Sequence, residues 1–588
     1  MNPIAADSAC GKLLPRAERW ASLLPCLVLA ACTGTAAVSN PNVHVSVDAT
    51  AVGTPLQRVW PFYGYDEVNY TTVPEGEALL AEVAAANSAK VRVRSHFLFN
   101  TGDGAPAMKW GSTNVYTEDA AGAPIYDWTL TDAIMDTIRA VGAFPFVELG
   151  FMPEALSQHP IPYKNSHPLL LNGGCFYPPS DYAKWAELVR TWATHANDRY
   201  PNVAGDWLWE LWNEPDSGYW HGTFAEYAKL YDYTESALHQ AIPKAALGGP
   251  AVIDAGGPFL REFLEHCASG SNAVTGATGT RLDLVTFHAK GGAAINQGHV
   301  ELDLGNQLRL HRSGFDTVAA FSKFKRTPIY ITEADPDGCA ACPADIIPGA
   351  GYRTSTAYGA YEVAMMKRTL ELGEATGVQL GGVLTWAFTF PGTAYFAGYR
   401  ALATNGIDLP VLSAFKLLGR LSGARLPLVS EGAHPLNDIL ANGVRGAPDI
   451  DGIATQHGSA TQILVWNYHD QLVPADATPV HLTIDVPPSF GPLAKVSHLR
   501  VDEAHGDAYS AWVSQGMPSD PSAEQIASLQ AAMEPSLLLP DSIVTVNAEH
   551  FIAIDFALPR FGISLVTVQP AGSASETGAD AGGSAGSE

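Results

Sequence analysis

Charged side chains are scarce in this chain. Asp, Glu, Lys and Arg make up 16% of its 588 residues, against a usual ~25%. Basic residues are the scarcer half, with 34 Lys and Arg against 60 Asp and Glu, a formal net charge of −26. Such a chain repels nucleic acid and anionic membrane surfaces, which are bound through clustered Lys and Arg, and a nucleic-acid partner is therefore excluded. Long apolar runs are missing as well. The one candidate, residues 20–31, falls short of the ~20 residues that span a bilayer. No GxGxxG phosphate loop is present, which removes the main sequence sign of an open, dinucleotide-binding sheet. No internal repeat is apparent. Cysteine is sparse at seven. Cys339-Ala-Ala-Cys342 has half the spacing of a zinc site, but no second Cys or His pair accompanies it, so a disulfide is expected there.

What is present points to a large folded protein. Hydrophobic residues reach 47% and aromatics 10%, enough for a sizeable core. The length exceeds a bare (β/α)₈ barrel of ~250 residues, so an accessory domain is expected. At the front, Lys12, Arg16 and Arg19 precede the short apolar run, which ends in Leu29-Ala30-Ala31-Cys32. Small residues directly before a cysteine resemble a bacterial lipobox, in which cleavage leaves Cys32 as the lipidated first residue; the alternative is an ordinary secretory signal. Either way the protein is expected to be exported, with a membrane contact only through the lipid. Four cysteines then remain besides Cys32, namely Cys175, Cys267, Cys339 and Cys342, and an oxidising compartment would allow two disulfides in three connectivities.

From about residue 55 the chain alternates strand-like and helix-like stretches. Strands are expected at 56–65, 90–99, 144–151, 207–213, 246–252, 282–288, 328–332 and 381–388. Helices are expected at 76–87, 129–141, 180–199, 224–240, 258–266, 305–324, 354–372 and 412–421. In the third helix Trp185, Leu188, Val189, Trp192 and Ala196 recur on one face, with Ser180 as the expected N-cap. Eight β-then-α units predict an α/β fold of the closed TIM-barrel type. Later residues instead show alternating strands at 461–468, 480–486, 495–502, 543–556 and 562–568, an accessory antiparallel β-sandwich, interrupted by a helix at 522–533. The organisation expected is a signal peptide 1–31, a tether 32–42, an N-terminal strand 43–54 joining the sandwich, the barrel 55–424, the sandwich 425–570 and a disordered tail 571–588.

In such a barrel the reacting groups stand where strands end. The fourth strand ends in Asn213 and Glu214, the seventh in Glu333. Two carboxyls facing each other across one barrel mouth suit glycoside hydrolysis, one protonating the leaving oxygen and the other attacking or activating water. Desolvation by Trp209 and Trp212 is expected to raise a nearby carboxyl and keep it an acid near neutral pH.

The segments Val91-Arg-Val-Arg-Ser-His-Phe97, Pro145-Phe-Val-Glu-Leu-Gly-Phe-Met-Pro153, Glu210-Leu-Trp-Asn-Glu-Pro-Asp216, Gly248-Gly-Pro250, Thr280-Arg-Leu-Asp-Leu-Val-Thr-Phe-His-Ala-Lys-Gly291 and Ile329-Tyr-Ile-Thr-Glu-Ala-Asp-Pro336 together resemble glycoside hydrolase family 39, the β-xylosidases and α-L-iduronidases. The resemblance runs from about residue 43 to 570. It implies a retaining double displacement with Glu214 as acid/base and Glu333 as nucleophile, and Asn213 bonding the sugar 2-hydroxyl. His96 and His288 match sugar-contacting histidines, and Asp335, Gly338, Trp386 and Arg400 join the substrate-binding set. No metal and no other cofactor is implied; the partner is a carbohydrate.

The sugar is less determined. Lys290, in His288-Ala-Lys290-Gly291, resembles the iduronidase lysine that grips a uronic carboxylate, although it could instead pair with Asp335. Arg400 corresponds to the iduronidase arginine only with a slip of one residue. The eighth strand, Thr385-Trp386-Ala-Phe388, is closer to the xylosidase pattern, and the iduronidase acidic residue is missing. Residues 64–69 also differ, and Asp66 and Glu67 there either bind hydroxyls or sit in a solvated loop. The leading expectation is an exo-acting glycosidase acting on terminal xylose-like or uronic acid residues. An endo-acting exopolysaccharide hydrolase and a non-catalytic glycan-binding surface lipoprotein are the alternatives.

Overall fold

The computed structural model describes residues 42–109, 111–164 and 171–572. The leader, Cys32, all but the last residue of the tether, and residues 573–588 of the tail lie outside the described residues. Among those described, no helix is long and apolar enough to cross a membrane.

Eight parallel strands follow one another around a ring in chain order: Phe62–Tyr65, Arg92–Ser95, Phe144–Leu149, Leu208–Leu211, Ala246–Val252, Leu284–His288, Ile329–Glu333 and Leu380–Val383. The eighth continues as Thr385–Trp386, which pairs with Tyr63 and Gly64 of the first and closes the barrel. These are the eight expected strands, most of them shorter than expected. They are buried on both faces, the environment that near-continuous apolar runs such as Phe-Pro-Phe-Val-Glu-Leu require. Closure depends on Gly64. A Cβ there would come within 2.3 Å of the Trp386 ring, so only glycine lets that indole lie across the first strand.

Eight helices cover the ring: Pro74–Ala86, Thr129–Ala140, Tyr182–Arg199, Phe224–Ala241, Pro258–Ser269, Leu304–Ala319, Thr356–Thr376 and Pro410–Arg420. The third buries Trp185, Leu188, Val189, Trp192 and Ala196 as the spacing predicts. Its cap is Asp181 rather than Ser180, because the Asp181 carboxylate accepts from the Ala183 and Lys184 amides. A reciprocal capping box between Thr223 and Glu226 starts the fourth.

The second layer is a sandwich of two sheets. One orders Leu428–Ser430, Val43–Asp48, Thr478–Asp485 and Phe551–Leu558; the other runs Thr54–Pro55, Ala424–Leu426, Asp449–His457, Ala460–Tyr468, Ile563–Pro570, Leu493–Val501 and Ser536–Thr545. Their facing side chains form a core of their own, with Val45, Val47, Leu482 and Ile484 against Ile463, Val465 and Val566. Pairing is antiparallel except where Val43–Asp48 runs parallel to Thr478–Asp485. Two local expectations are corrected. The strand expected over 543–556 is two strands, since Asn547 turns the chain by accepting from the Glu549 and Phe551 amides. The strand Asp449–His457 was not expected, and it carries Asp449 and Asp451. Both are buried, facing Arg368 and Lys367 of the seventh barrel helix.

Candidate active site

The ends of parallel strands share one face, and side chains there converge without further instruction. The first, second, fourth, sixth and seventh strand ends bring Asp66, His96, Glu214, His288 and Glu333 together, and the eighth adds Trp386. All of these but His288 line a cavity of about 180 Å³, together with Asn213, Lys290 and Arg400 and with Lys109, Leu171, Tyr219, Cys339 and Ala340.

Glu214 reaches the cavity by an unusual backbone. Both Trp212 and Glu214 are left-handed, at φ 68° and 45°, and each such non-glycine residue costs on the order of 1–3 kcal/mol. The turn is held by the Glu214 amide donating to the Ala251 carbonyl at 3.0 Å. Glu214 Oε1 then lies 2.8 Å from His288 Nδ1. Glu333 needs no special turn, being the last residue of its strand. One oxygen of Glu214, one of Glu333 and a ring nitrogen of His288 all lie within 4.8 Å of one another. Such a trio has the shape of a metal site, but the Lys290 ammonium already pairs with Glu333 Oε2 and stands 3.6 Å from Glu214 Oε1. A divalent ion would have to displace it.

Under the pair lies a buried charge network. Arg94, fully shielded from solvent, donates through Nε to Glu210 at 2.6 Å and through Nη2 to Asn213 Oδ1 at 3.0 Å. Its Nη2 also lies 3.0 Å from Glu148, and its Nη1 3.6 Å from Glu333. One guanidinium therefore faces three carboxyls. Burial pushes the Glu148 carboxyl well above the ordinary range, with Arg94 only partly opposing it. For Glu333 burial acts upward too, but His288, Lys290, His96 and Arg94 together hold the carboxyl far below its usual value. It is an anion throughout the physiological range.

Glu214 corrects an expectation. Burial does raise it, but Lys290 and His288 outweigh burial and leave the carboxyl below its ordinary value. The cation was the missing element, and its position six strands into the barrel could not be paired with Glu214 from spacing alone. Lys290 itself is raised: burial lowers it, yet Glu333 and Glu214 more than compensate.

The structure separates the remaining sequence-predicted residues. Asn213, His96, Lys290, Trp386 and Arg400 line the cavity, and His288 contacts it through Glu214. Asp335 does not line it; it sits fully buried behind the wall, accepting from Tyr358, Thr385 and the Trp386 amide at 2.7–2.9 Å. Lys290 pairs with the two glutamates rather than with Asp335. Gly338 also stands outside the lining and faces solvent, its carbonyl accepting from Arg353. Cys32 lies outside the described residues. Asp66 and Glu67 are buried rather than solvated. Cys339 and Cys342 form a disulfide beside the cavity, while Cys175 and Cys267 are free and buried, so the second bridge is not made. Arg94, Glu148 and Lys109 escaped the sequence reading. Arg94 was signalled only by its place two residues before His96, the spacing that puts both on one side of a strand.

Comparison with known proteins agrees with this geometry. The profile of the glycosyl hydrolases family 39 matches residues 93–546. A β-xylosidase of Caldicellulosiruptor saccharolyticus is 26% identical over 416 residues, 68% of this chain and 75% of that one. An α-L-iduronidase of Canis lupus familiaris is 25% identical over 564 residues, 90% of this chain and 78% of that one. In fold the chain is similar to the crystal structure of a monomeric β-xylosidase from Caulobacter crescentus CB15, with a TM-score of 0.72, 22% identity, and coverage of 90% of this chain and 99% of the other.

Proposed function

The chain belongs to glycosyl hydrolase family 39 and is a glycosidase, and from that premise we propose a retaining, exo-acting enzyme that removes terminal xylose-like or uronic acid residues by double displacement. The observation that carries the reading is the approach of Glu214 and Glu333, whose nearest oxygens lie within 4.8 Å. Inverting enzymes separate their carboxyls by about 6.5–9.5 Å to admit a water between them, whereas retaining enzymes need about 5–5.5 Å. Glu333, anionic and aimed into the cavity, is the nucleophile; Glu214 is the acid/base; Asn213, held by Arg94, bonds the sugar beside the reacting carbon.

The charges support this cycle. The Glu333 anion raises Glu214. Once Glu333 becomes a glycosyl ester that influence disappears, the Glu214 carboxyl falls further, and it is left as the base that activates water. The first step needs the opposite state, a protonated Glu214, and Lys290 resists it. A sugar carboxylate beside Lys290 would cancel its charge and let Glu214 take up a proton, which favours an anionic terminal sugar over a neutral one.

Replacing Glu333 by Gln is expected to abolish turnover of activated and natural glycosides alike. Glu214→Gln is expected to spare the first step for substrates with good leaving groups, and azide is expected to rescue Glu214→Ala with retention. NMR of the first-formed sugar decides between mechanisms: an inverted anomer would refute double displacement. We also propose export and lipid anchoring through Cys32, supported by the basic residues, short apolar run and Leu-Ala-Ala-Cys sequence before it. Radiolabelled fatty acid should then enter the wild-type chain in a bacterial host and not Cys32→Ser; labelling of both would remove the anchor site.

A further inference from the structure

An exo-acting cavity needs a wall that stops the terminal sugar, and this inference rests on that reading. We propose that Asp66 and Lys109 form the wall and select a terminal sugar whose hydroxyls remote from the scissile bond are free. The contacts run in series from the nucleophile. Glu333 Oε1 lies 3.6 Å from His96 Nε2, His96 Nδ1 lies 2.8 Å from Asp66 Oδ1, and Asp66 Oδ2 lies 2.9 Å from Lys109 Nζ. A sugar with its reacting carbon at Glu333 meets these groups in order around its ring. Glu214 stands on the fourth strand, and the leaving group must lie beside it. Asp66 follows the first strand and Lys109 lies on the loop after the second, so the pair comes from strands other than the one that bears Glu214.

Both side chains line that cavity, and both are shielded, with Asp66 5% and Lys109 14% exposed in their side chains. A carboxylate beside an ammonium offers an acceptor and donors together, which is what one hydroxyl can satisfy in both of its roles. A sugar attached at that hydroxyl has nowhere to go without parting the ion pair. The wall is also braced. The Lys109 amide donates to Glu67 Oε1 at 3.1 Å, and Asn69 clasps Ser112 in both directions at 2.9 Å. Lys109 is held left-handed at φ 71°, so the loop after the second strand is fixed against the end of the first.

The test compares the nitrophenyl glycoside that the wild type cleaves best with the same glycoside methylated at the ring hydroxyl farthest from the bond cleaved. Methylation is expected to lower wild-type kcat/KM by about 100-fold. Lys109→Met is expected to lose about tenfold on the free glycoside, mostly in KM, consistent with a charge-assisted hydrogen bond, while its methylation penalty shrinks below about tenfold. Asp66→Asn should do the same, and carries the test if Lys109→Met does not fold. A wild type indifferent to methylation, or a penalty unchanged in the folded variants, overturns the wall. Glu333→Gln separates the two levels. If it stays active, the reading beneath fails; if it is dead while the penalty is unchanged in the variants, the wall alone fails.

Discussion

Lys290 sits between the two carboxyls that the proposed cycle requires in opposite protonation states. Its ammonium pairs with Glu333 and lies 3.6 Å from Glu214, and a nearby cation always favours the ionised carboxylate. Removing it therefore raises both groups. In Lys290→Ala the nucleophile needs a higher pH to ionise and the acid keeps its proton to a higher pH, so both limbs of the kcat/KM profile are expected to move upward. An unmoved alkaline limb would mean that Glu214 is not the acid under its influence. The same residue separates substrates. Loss of a shielded bond to a sugar carboxylate is worth ~1.5–3 kcal/mol, so uronide turnover is expected to fall by roughly one to two powers of ten, with matched xylosides less affected. Equal losses on both would turn the proposal toward a neutral pentose.

At the scale of elements, the cavity wall after the seventh strand is a loop tied down by one side chain. Arg353 is fully buried and donates to Asp337 through two nitrogens at 2.8 and 3.1 Å, and to the carbonyls of Gly338, Cys339, Cys342 and Gly398. It thereby joins the disulfide loop to the segment carrying Arg400, whose amide in turn donates to Ala340. Methionine in its place keeps much of the volume but none of the donors. Breaking a buried pair of this kind costs about 3–5 kcal/mol, so Arg353→Met should unfold at clearly lower urea concentration. Any folded fraction should show a raised KM, because Arg400 loses its support. Thiol titration of the unfolded, unreduced protein lacking residues 1–41 should find only Cys175 and Cys267. Four thiols would mean that the Cys339–Cys342 bridge does not form, and bound zinc would replace the bridge by a metal.

In the whole molecule the barrel is inserted into the sandwich, since the strand that precedes it, Val43–Asp48, pairs with Thr478–Asp485 and Leu428–Ser430, which follow it. Ion pairs across the seam, from Lys367 and Arg368 to Asp451 and Asp449, join the two layers. Deleting residues 1–54 removes Val45 and Val47 from the sandwich core. At ~1.5–3 kcal/mol for each buried valine, stability in urea should drop by several kcal/mol, and an unchanged midpoint would show that the strand is dispensable. Sequence alone determined the periodic parts: eight βα units, the strand ends bearing Glu214 and Glu333, and the alternation of most sandwich strands. These follow from local rules, because burial on one or two faces writes a period of 3.6 or 2 into the chain. Only the tertiary structure decided that Lys290 holds Glu214 down, that Asp335 stands behind the wall, that Asp449 and Asp451 are buried, and that Lys109 reaches Asp66. Each depends on charges brought together from distant segments, and Coulomb interaction in a shielded interior follows distance in space, which spacing along the chain does not encode.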